Sequence, residues 1–195
     1  MNKRLKAQID FALLLDKEKN VFRQTHISGG VRKENDAEHS WHMAVMAYLF
    51  EEYANEDIDI AKVIMMCLIH DIVEIEAGDT YAYDEQAKKS QKEREEKAKK
   101  KLFGILPKDQ GEKLEALFDE FEAMETAEAK FARAMDNLQP LILNDSNDGG
   151  DWKFHGVTAE QIYRRQGRTK AGSEKLYEYT EAVIEKHIKA GNIKR

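Results

Sequence analysis

Six histidines punctuate the 195-residue chain, and one of them, His70, is followed at once by an acid, Asp71. The pair directly follows an apolar run, Val63 to Ile69, and Glu74 and Glu76 come soon after. Polar groups carried into a hydrophobic interior need partners, and carboxylates crowded there repel one another and resist ionisation. A divalent cation resolves both problems, because it supplies positive charge where imidazole and carboxylate converge. Adjacent residues on a helix point about 100° apart, so His70 and Asp71 reach one ion only near the edge of a helix face. Other elements must complete the set. The best donors are His39, in Glu38-His39-Ser40-Trp41-His42, and Asp136, an isolated acid in an otherwise apolar helical stretch. Two His and two Asp form a mixed N/O set that suits Mn, Fe, Co, Ni or Zn with open positions for water. Spacing alone does not single this set out, since a lone histidine on an apolar face is more often a hydrogen-bonded core residue.

The elements that must hold these residues read as helices. Leu5, Ile9, Ala12 and Leu13 recur at helical spacing and predict a first helix up to about Lys19. Gln24 to Lys33, with Gly29-Gly30, is expected to be a loop. Asn35 or Asp36 caps a second helix, Ala37 to about Ala54, whose apolar residues lie around most of its girth and predict a central position with Trp41 in the core. Ile58 to Ile75 reads as a third helix, rich in Met and Leu and free of breakers. A charged segment, Asp84 to Lys101, reads as a solvated helix with i,i+4 pairs Glu93–Lys97, Glu95–Lys99 and Glu96–Lys100. Helices from Pro107 to Met124 and from Ala127 to Leu143 follow, the second capped by Thr126. Asn144 to Val157 is expected to be a long polar loop. Thr158-Ala-Glu-Gln161 is a capping box that opens a further helix, and a last helix spans Ser173 to Ala190. No alternating strand pattern and no long repeat is present. The expected fold is all-α: a single domain over residues 1–195 built as a bundle of six to eight helices.

Composition narrows the function classes. With 42% hydrophobic residues the chain can bury a sizeable core, and with a net charge of −6 it lacks an overall basic footprint for nucleic acid. The single cysteine, Cys67, forms no internal disulfide, which fits a reducing, cytoplasmic setting. The short apolar stretch Phe11 to Leu15 is no signal-peptide core, and no run is long enough for a membrane span.

Three strings of residues carry a resemblance: Arg32-Lys-Glu-Asn-Asp-Ala-Glu-His39-Ser, then His70-Asp71-Ile-Val-Glu74-Ile-Glu-Ala-Gly78-Asp79, then Glu128-Ala-Lys-Phe131 with Asp136-Asn-Leu-Gln. Over about residues 20–145 the chain resembles the HD-domain metal-dependent phosphohydrolases. Its nearer likeness is to the small branch that contains 5′-deoxynucleotidases. The resemblance implies an HD-type helical bundle that binds a divalent metal ion (Mn, Co, Mg, Ni, Fe or Zn) through His39, His70, Asp71 and Asp136. It implies that Glu74 orients or deprotonates water, that Asp79 contacts the sugar or assists proton transfer, and that Arg23 holds the phosphate of a nucleotide substrate. Gln24 stands where that branch has Trp, a departure that bears on deoxyribose selectivity. The implied activity is phosphomonoester hydrolysis of (deoxy)nucleoside 5′-monophosphates by a homodimer. Hydrolysis of nucleoside triphosphates or guanosine polyphosphates, and a non-catalytic nucleotide- or metal-binding module, are the alternatives. Arg164-Arg165 is expected at the surface, and His42 matches no ligand position.

Overall fold

The computed structural model describes residues 2–84, 86 and 88–195. The elements run α1 (Lys3–Leu15), a 3-10 turn (Asp16–Asn20), β1 (Phe22–His26), β2 (Lys33–Asn35), α2 (Asp36–Phe50), α3 (Ile60–Ile69) and α4 (Glu74–Ala77). They continue with α5 (Lys88–Phe103), α6 (Lys108–Ala123), α7 (Ala127–Ser146), α8 (Gly150–His155), α9 (Ala159–Gln166), α10 (Thr169–Gly172) and α11 (Glu174–Lys189). The fold is all-α apart from one small hairpin. The expected start of the charged helix at Asp84 spans Glu85 and Ala87, which lie outside the described residues.

Local signals explain most helix starts. Asn35 and Glu38 form a reciprocal capping box on α2, Thr158 and Gln161 another on α9, and the Thr126 hydroxyl accepts from the Ala129 N–H on α7. On α5 the pairs Glu93–Lys97 and Glu96–Lys100 form at 2.6 and 3.2 Å. Lys99 instead turns under α6 and meets Glu96 and Asp119, because its side chain is buried.

Two apolar clusters hold the helices together. In the first, Met43 of α2, Met66 of α3 and Phe131, Met135 and Leu138 of α7 pack with Ile162 and Ile184. In the second, Phe11, Ile72, Leu102, Phe103 and Phe118 join α1, α5 and α6 to the segment after α3. Each such fully buried side chain contributes about 1.5–3 kcal/mol. Helix α7 is the central element, and α10 presses so closely on it that a Cβ at Gly172 would lie 2.3 Å from the Lys130 carbonyl oxygen.

Four expectations are corrected. Residues 22–35 form an antiparallel hairpin, with Phe22 opposite Asn35 and His26 opposite Lys33; its strands are too short to show an alternating pattern. The expected helix from Ile58 to Ile75 stops at Ile69. Ile72, Glu74, Ile75 and Glu76 donate to the carbonyls three residues back, tightening the chain there, and this tightening lets Ile72 and Val73 enter the second cluster. Within the expected loop 144–157, α8 forms because Trp152 finds a buried site. Trp41 is 64% exposed and shares the outer face of α2 with Val45, Tyr48 and Leu49, since only the Met43–Met46–Ala47 side of the helix meets α3 and α7.

Candidate metal centre

The capping box of α2 positions His39 in the first turn, where the side chain is fully buried. Glu38 is used by that cap and by Arg32, at 2.6 Å, and does not reach the centre. His39 Nδ1 lies 3.0 Å from Gln139 Oε1. The amide nitrogen of Gln139 donates to the Glu34 carboxylate, so its oxygen must face His39 and must accept. The proton of His39 is therefore on Nδ1, and Nε2 presents a lone pair. His70, at the end of α3, is set in the same way: its Nδ1 is 2.9 Å from the Cys67 carbonyl oxygen, which can only accept. Both Nε2 atoms are buried and lack a hydrogen-bond partner. Two orphaned imidazole nitrogens aimed at one point are what a cation requires, and hydrogen bonds on the opposite nitrogens are how metal-binding histidines are oriented.

The acids complete the arrangement. Asp136 Oδ1, from α7, lies 3.4 Å from His39 Nε2 and 3.9 Å from His70 Nε2. Asp71 Oδ2 lies 3.0 Å from His70 Nε2 and 4.0 Å from His39 Nε2. Among the described residues, His39, His70 and Asp136 offer ligand atoms all within 4.8 Å of one another, while Asp71 falls in a second such group with Asp36 and Glu74. Asp71 thus joins the two groups. The mixed N/O donor set fits a divalent ion.

The charges are consistent with this fit. Burial, and then the charge of Arg23, hold the His39 imidazole down to about 4, so it is neutral at pH 7. Burial favours neutral His70 too, but Asp71 and Asp136 outweigh it and raise the imidazole: the pocket attracts positive charge at that nitrogen. Asp136 is kept well below the usual carboxylate range despite its burial, chiefly by Arg165, with His39 and Arg133 adding to the effect.

Glu74 begins α4, is buried, and leaves Oε2 without a partner. Burial and the neighbouring Asp71, Asp36 and Asp79 carboxylates push it well above its ordinary value. Asp79 follows Gly78, whose φ of +77° turns the chain out of α4. Its carboxyl is raised mainly by burial, with Asp71 adding to the rise and Arg23 opposing it. Arg23 reaches the centre from β1, but its Nη1 donates to Asp71 Oδ2 at 2.6 Å and approaches Asp36 Oδ1 at 3.3 Å, with Glu34 at 3.8 Å from Nε. Gln24 accepts from Lys33 Nζ at 2.7 Å.

All seven expected residues therefore gather in one region. His42 serves the centre indirectly, through the Gln139 amide at 3.1 Å. Arg164 is exposed as expected, but Arg165 turns inward and its Nη2 comes within 3.5 Å of Asp136 Oδ1. Arg133, Gln139 and the buried acids Glu18, Glu34 and Asp36 carry no local signal strong enough to single them out. Arg133 sits three residues before Asp136, on the same helix face, and that spacing is the one hint available. Two cavities open on the centre. One of about 130 Å³ is walled by Tyr81, Tyr83 and Trp152, and one of about 750 Å³ by α5, α6 and α9.

Comparison with known proteins agrees with this geometry. The chain is 32% identical to the 5′-deoxynucleotidase HDDC2 of Bos taurus over 69% of its length, and it spans 64% of that relative. It is 32% identical to the Xenopus laevis protein of the same name, over 84% of this chain and 74% of the relative. A crystal structure described as a predicted metal-dependent phosphohydrolase from Magnetospirillum magnetotacticum MS-1 superposes with a TM-score of 0.95 at 48% identity, covering 99% of this chain and 97% of that one. The HD domain family profile matches residues 15–177, a stretch that holds every ligand candidate named above. With its His70-Asp71 pair at this centre, the chain belongs to the HD domain family.

Proposed function

We propose that this protein is a phosphomonoesterase that removes phosphate from (deoxy)nucleoside 5′-monophosphates with the help of a divalent metal ion held by His39, His70, Asp71 and Asp136. The observation that carries the reading is the pair of buried, unpartnered Nε2 atoms converging with two carboxylates beside Glu74 and Asp79. The activity named for the relatives and the description of the structural neighbour point the same way. The cation would supply Lewis-acid activation of water and polarisation of a phosphoryl oxygen. Glu74 takes the proton of the attacking water on its free Oε2 as the new O–P bond forms. The bond from phosphorus to the nucleoside 5′-oxygen breaks, and Asp79, whose carboxyl is raised toward its protonated form, returns a proton to that oxygen. Arg23 holds Asp71 in place and adds positive charge beside the phosphoryl group. Gln24 supports acceptance of ribose as well as deoxyribose, because its side chain is drawn aside to Lys33.

Residues 1–195 act as one domain in this reading, a view supported by Leu117, which packs against both apolar clusters. A homodimer is supported by the exposed apolar face of α2 (Trp41, Val45, Tyr48, Leu49) with Met65 and Leu68 of α3 beside it. A cytoplasmic setting is supported by the free, buried Cys67. Among the described residues, no helix is long and apolar enough to cross a membrane.

The test is a screen with Mn, Co, Mg and Ni against nucleoside mono- and triphosphates in ribo and deoxy forms. Inorganic phosphate from monophosphates is expected. Asp71→Ala should lose both metal and turnover, and Glu74→Ala should keep metal and turn over slowly. Release of pyrophosphate or tripolyphosphate from triphosphates, with monophosphates untouched, refutes the assignment.

A further inference from the structure

Arg133 and Arg165 are 32 residues apart in sequence, yet α7 and α9 bring them to opposite oxygens of one carboxylate. Arg133 Nη1 donates to Asp136 Oδ2 at 3.1 Å, and Arg165 Nη2 stands 3.5 Å from Asp136 Oδ1. Arg133 is rigidly mounted. Its guanidinium lies 4.0 Å over the Phe121 ring and Nη2 donates to Glu122 at 2.6 Å, while Nε is buried without a partner. Arg165 approaches Asp136 at more than ordinary hydrogen-bond length, and its side chain keeps 25% of its exposure. Each guanidinium carries five N–H donors in a planar fork, more than these contacts use.

Position adds to the argument. The two cavities meet at a common wall that includes Asp71, Glu74 and Asp136, and of the cationic residues described only Arg133 and Arg165 line both. Asp71, Glu74 and Asp136, which lie at the centre, share that wall with them. Arg23 lines the smaller cavity alone and faces three carboxylates, Glu34, Asp36 and Asp71. Once Asp136 shares its charge with a cation at the histidines, the Arg133–Arg165 pair faces the cavity with a surplus of positive charge. A tetrahedral dianion matches that surplus, and paired guanidinium forks match its oxygens.

We infer that Arg133 and Arg165 form a phosphate clamp that grips the non-bridging oxygens of the substrate's phosphoryl group from the α7–α9 side, opposite Arg23. The inference rests on the phosphomonoesterase reading for its substrate but not for its test. Calorimetric titration of the Mn-loaded protein with inorganic phosphate needs no turnover. Arg165→Gln is expected to weaken phosphate binding about 10- to 100-fold, the effect of losing a charged hydrogen-bonding partner. Its Mn content per chain should stay unchanged, and KM for a nucleoside monophosphate should rise more than kcat falls. Arg165→Lys should recover part of the loss, since it restores the charge but not the fork. Arg133→Gln should act like Arg165→Gln; should it fail to fold, Arg165→Gln decides alone. The clamp is overturned by a metal-loaded wild-type protein that does not bind phosphate. It is equally overturned by an Arg165→Gln variant that binds phosphate normally, or that loses phosphate only as far as it loses Mn, which would make the arginine a holder of Asp136. A protein that binds phosphate through these residues yet hydrolyses no nucleoside monophosphate retains the clamp and refutes only the substrate reading.

Discussion

Replacing Gln139 by leucine removes one amide and disturbs three neighbours. The side chain is wholly buried in α7, accepts from His39 Nδ1 at 3.0 Å, donates to Glu34 and contacts His42 Nδ1 at 3.1 Å. Leucine has nearly the same volume, so no large cavity opens and the change is one of hydrogen bonding. The His39 N–H and the Glu34 carboxyl each lose a buried partner, at about 1–3 kcal/mol apiece. The sum of about 2–6 kcal/mol, at about 2–4 °C per kcal/mol for a chain of this size, lowers Tm by roughly 4–24 °C. His39 is also freed to rotate or to move its proton to Nε2, the atom that must stay bare. Loss of such an orienting partner typically weakens metal affinity about 10- to 100-fold. Gln139→Glu separates the two effects, because it keeps an acceptor for His39 but sets a carboxylate against Glu34: Tm should fall while metal affinity is largely preserved. Competition against a chelator of known affinity reads the metal, and a thermal melt reads stability. Wild-type metal affinity in Gln139→Leu would refute the idea that this amide sets the His39 tautomer.

Three other outcomes follow from packing and charge. Gly172→Ala forces a methyl group against the Lys130 carbonyl and should cost about 1–3 kcal/mol, seen as a Tm lower by about 2–12 °C; an unchanged Tm would show that α10 can move away from α7. Burial raises Glu18 and Glu34 to about 7 and Asp36 to about 8, well above the ordinary carboxylate range. These groups hold extra protons in the folded state, so their stabilising contribution is present at low pH and lost as pH rises through 7 to 8. Raised His70 acts in the same direction, and lowered His39 opposes them only near pH 6.5, where the unfolded imidazole is still losing its proton. The metal-free protein should melt lower at pH 8.5 than at pH 6.5, with a smaller difference in Glu18→Gln; a Tm that rises over that interval would contradict the placement of these acids. Cys67 is fully buried and its thiol is pushed up by burial and by Asp136, so a thiol-specific reagent should label it only at the rate of unfolding, and fast labelling of the native chain would argue against this packing.

Short-range physics made much of this protein legible from its residues. The caps at Asn35, Thr126 and Thr158 and the pairs on α5 depend on groups three or four positions apart, and the same holds for the helical character of the chain. The four expected metal ligands, with Glu74 and Asp79, stand in the strings of a family motif, Arg23 lies upstream of them, and the folded chain gathers all seven into one region. What no local pattern contains is the pairing of distant groups. Gln139 acts on a histidine 100 positions earlier, Arg165 meets an acid from another helix, and Trp41 lies outside because of which side of α2 the other helices cover. Even the break after Ile69 is a tertiary choice, made when Ile72 and Val73 find a place among Phe11, Phe103 and Phe118. Hydrogen bonds within a helical turn are decided by the residues of that turn. A buried charge finds its partner only when the packing of whole helices brings the two faces together.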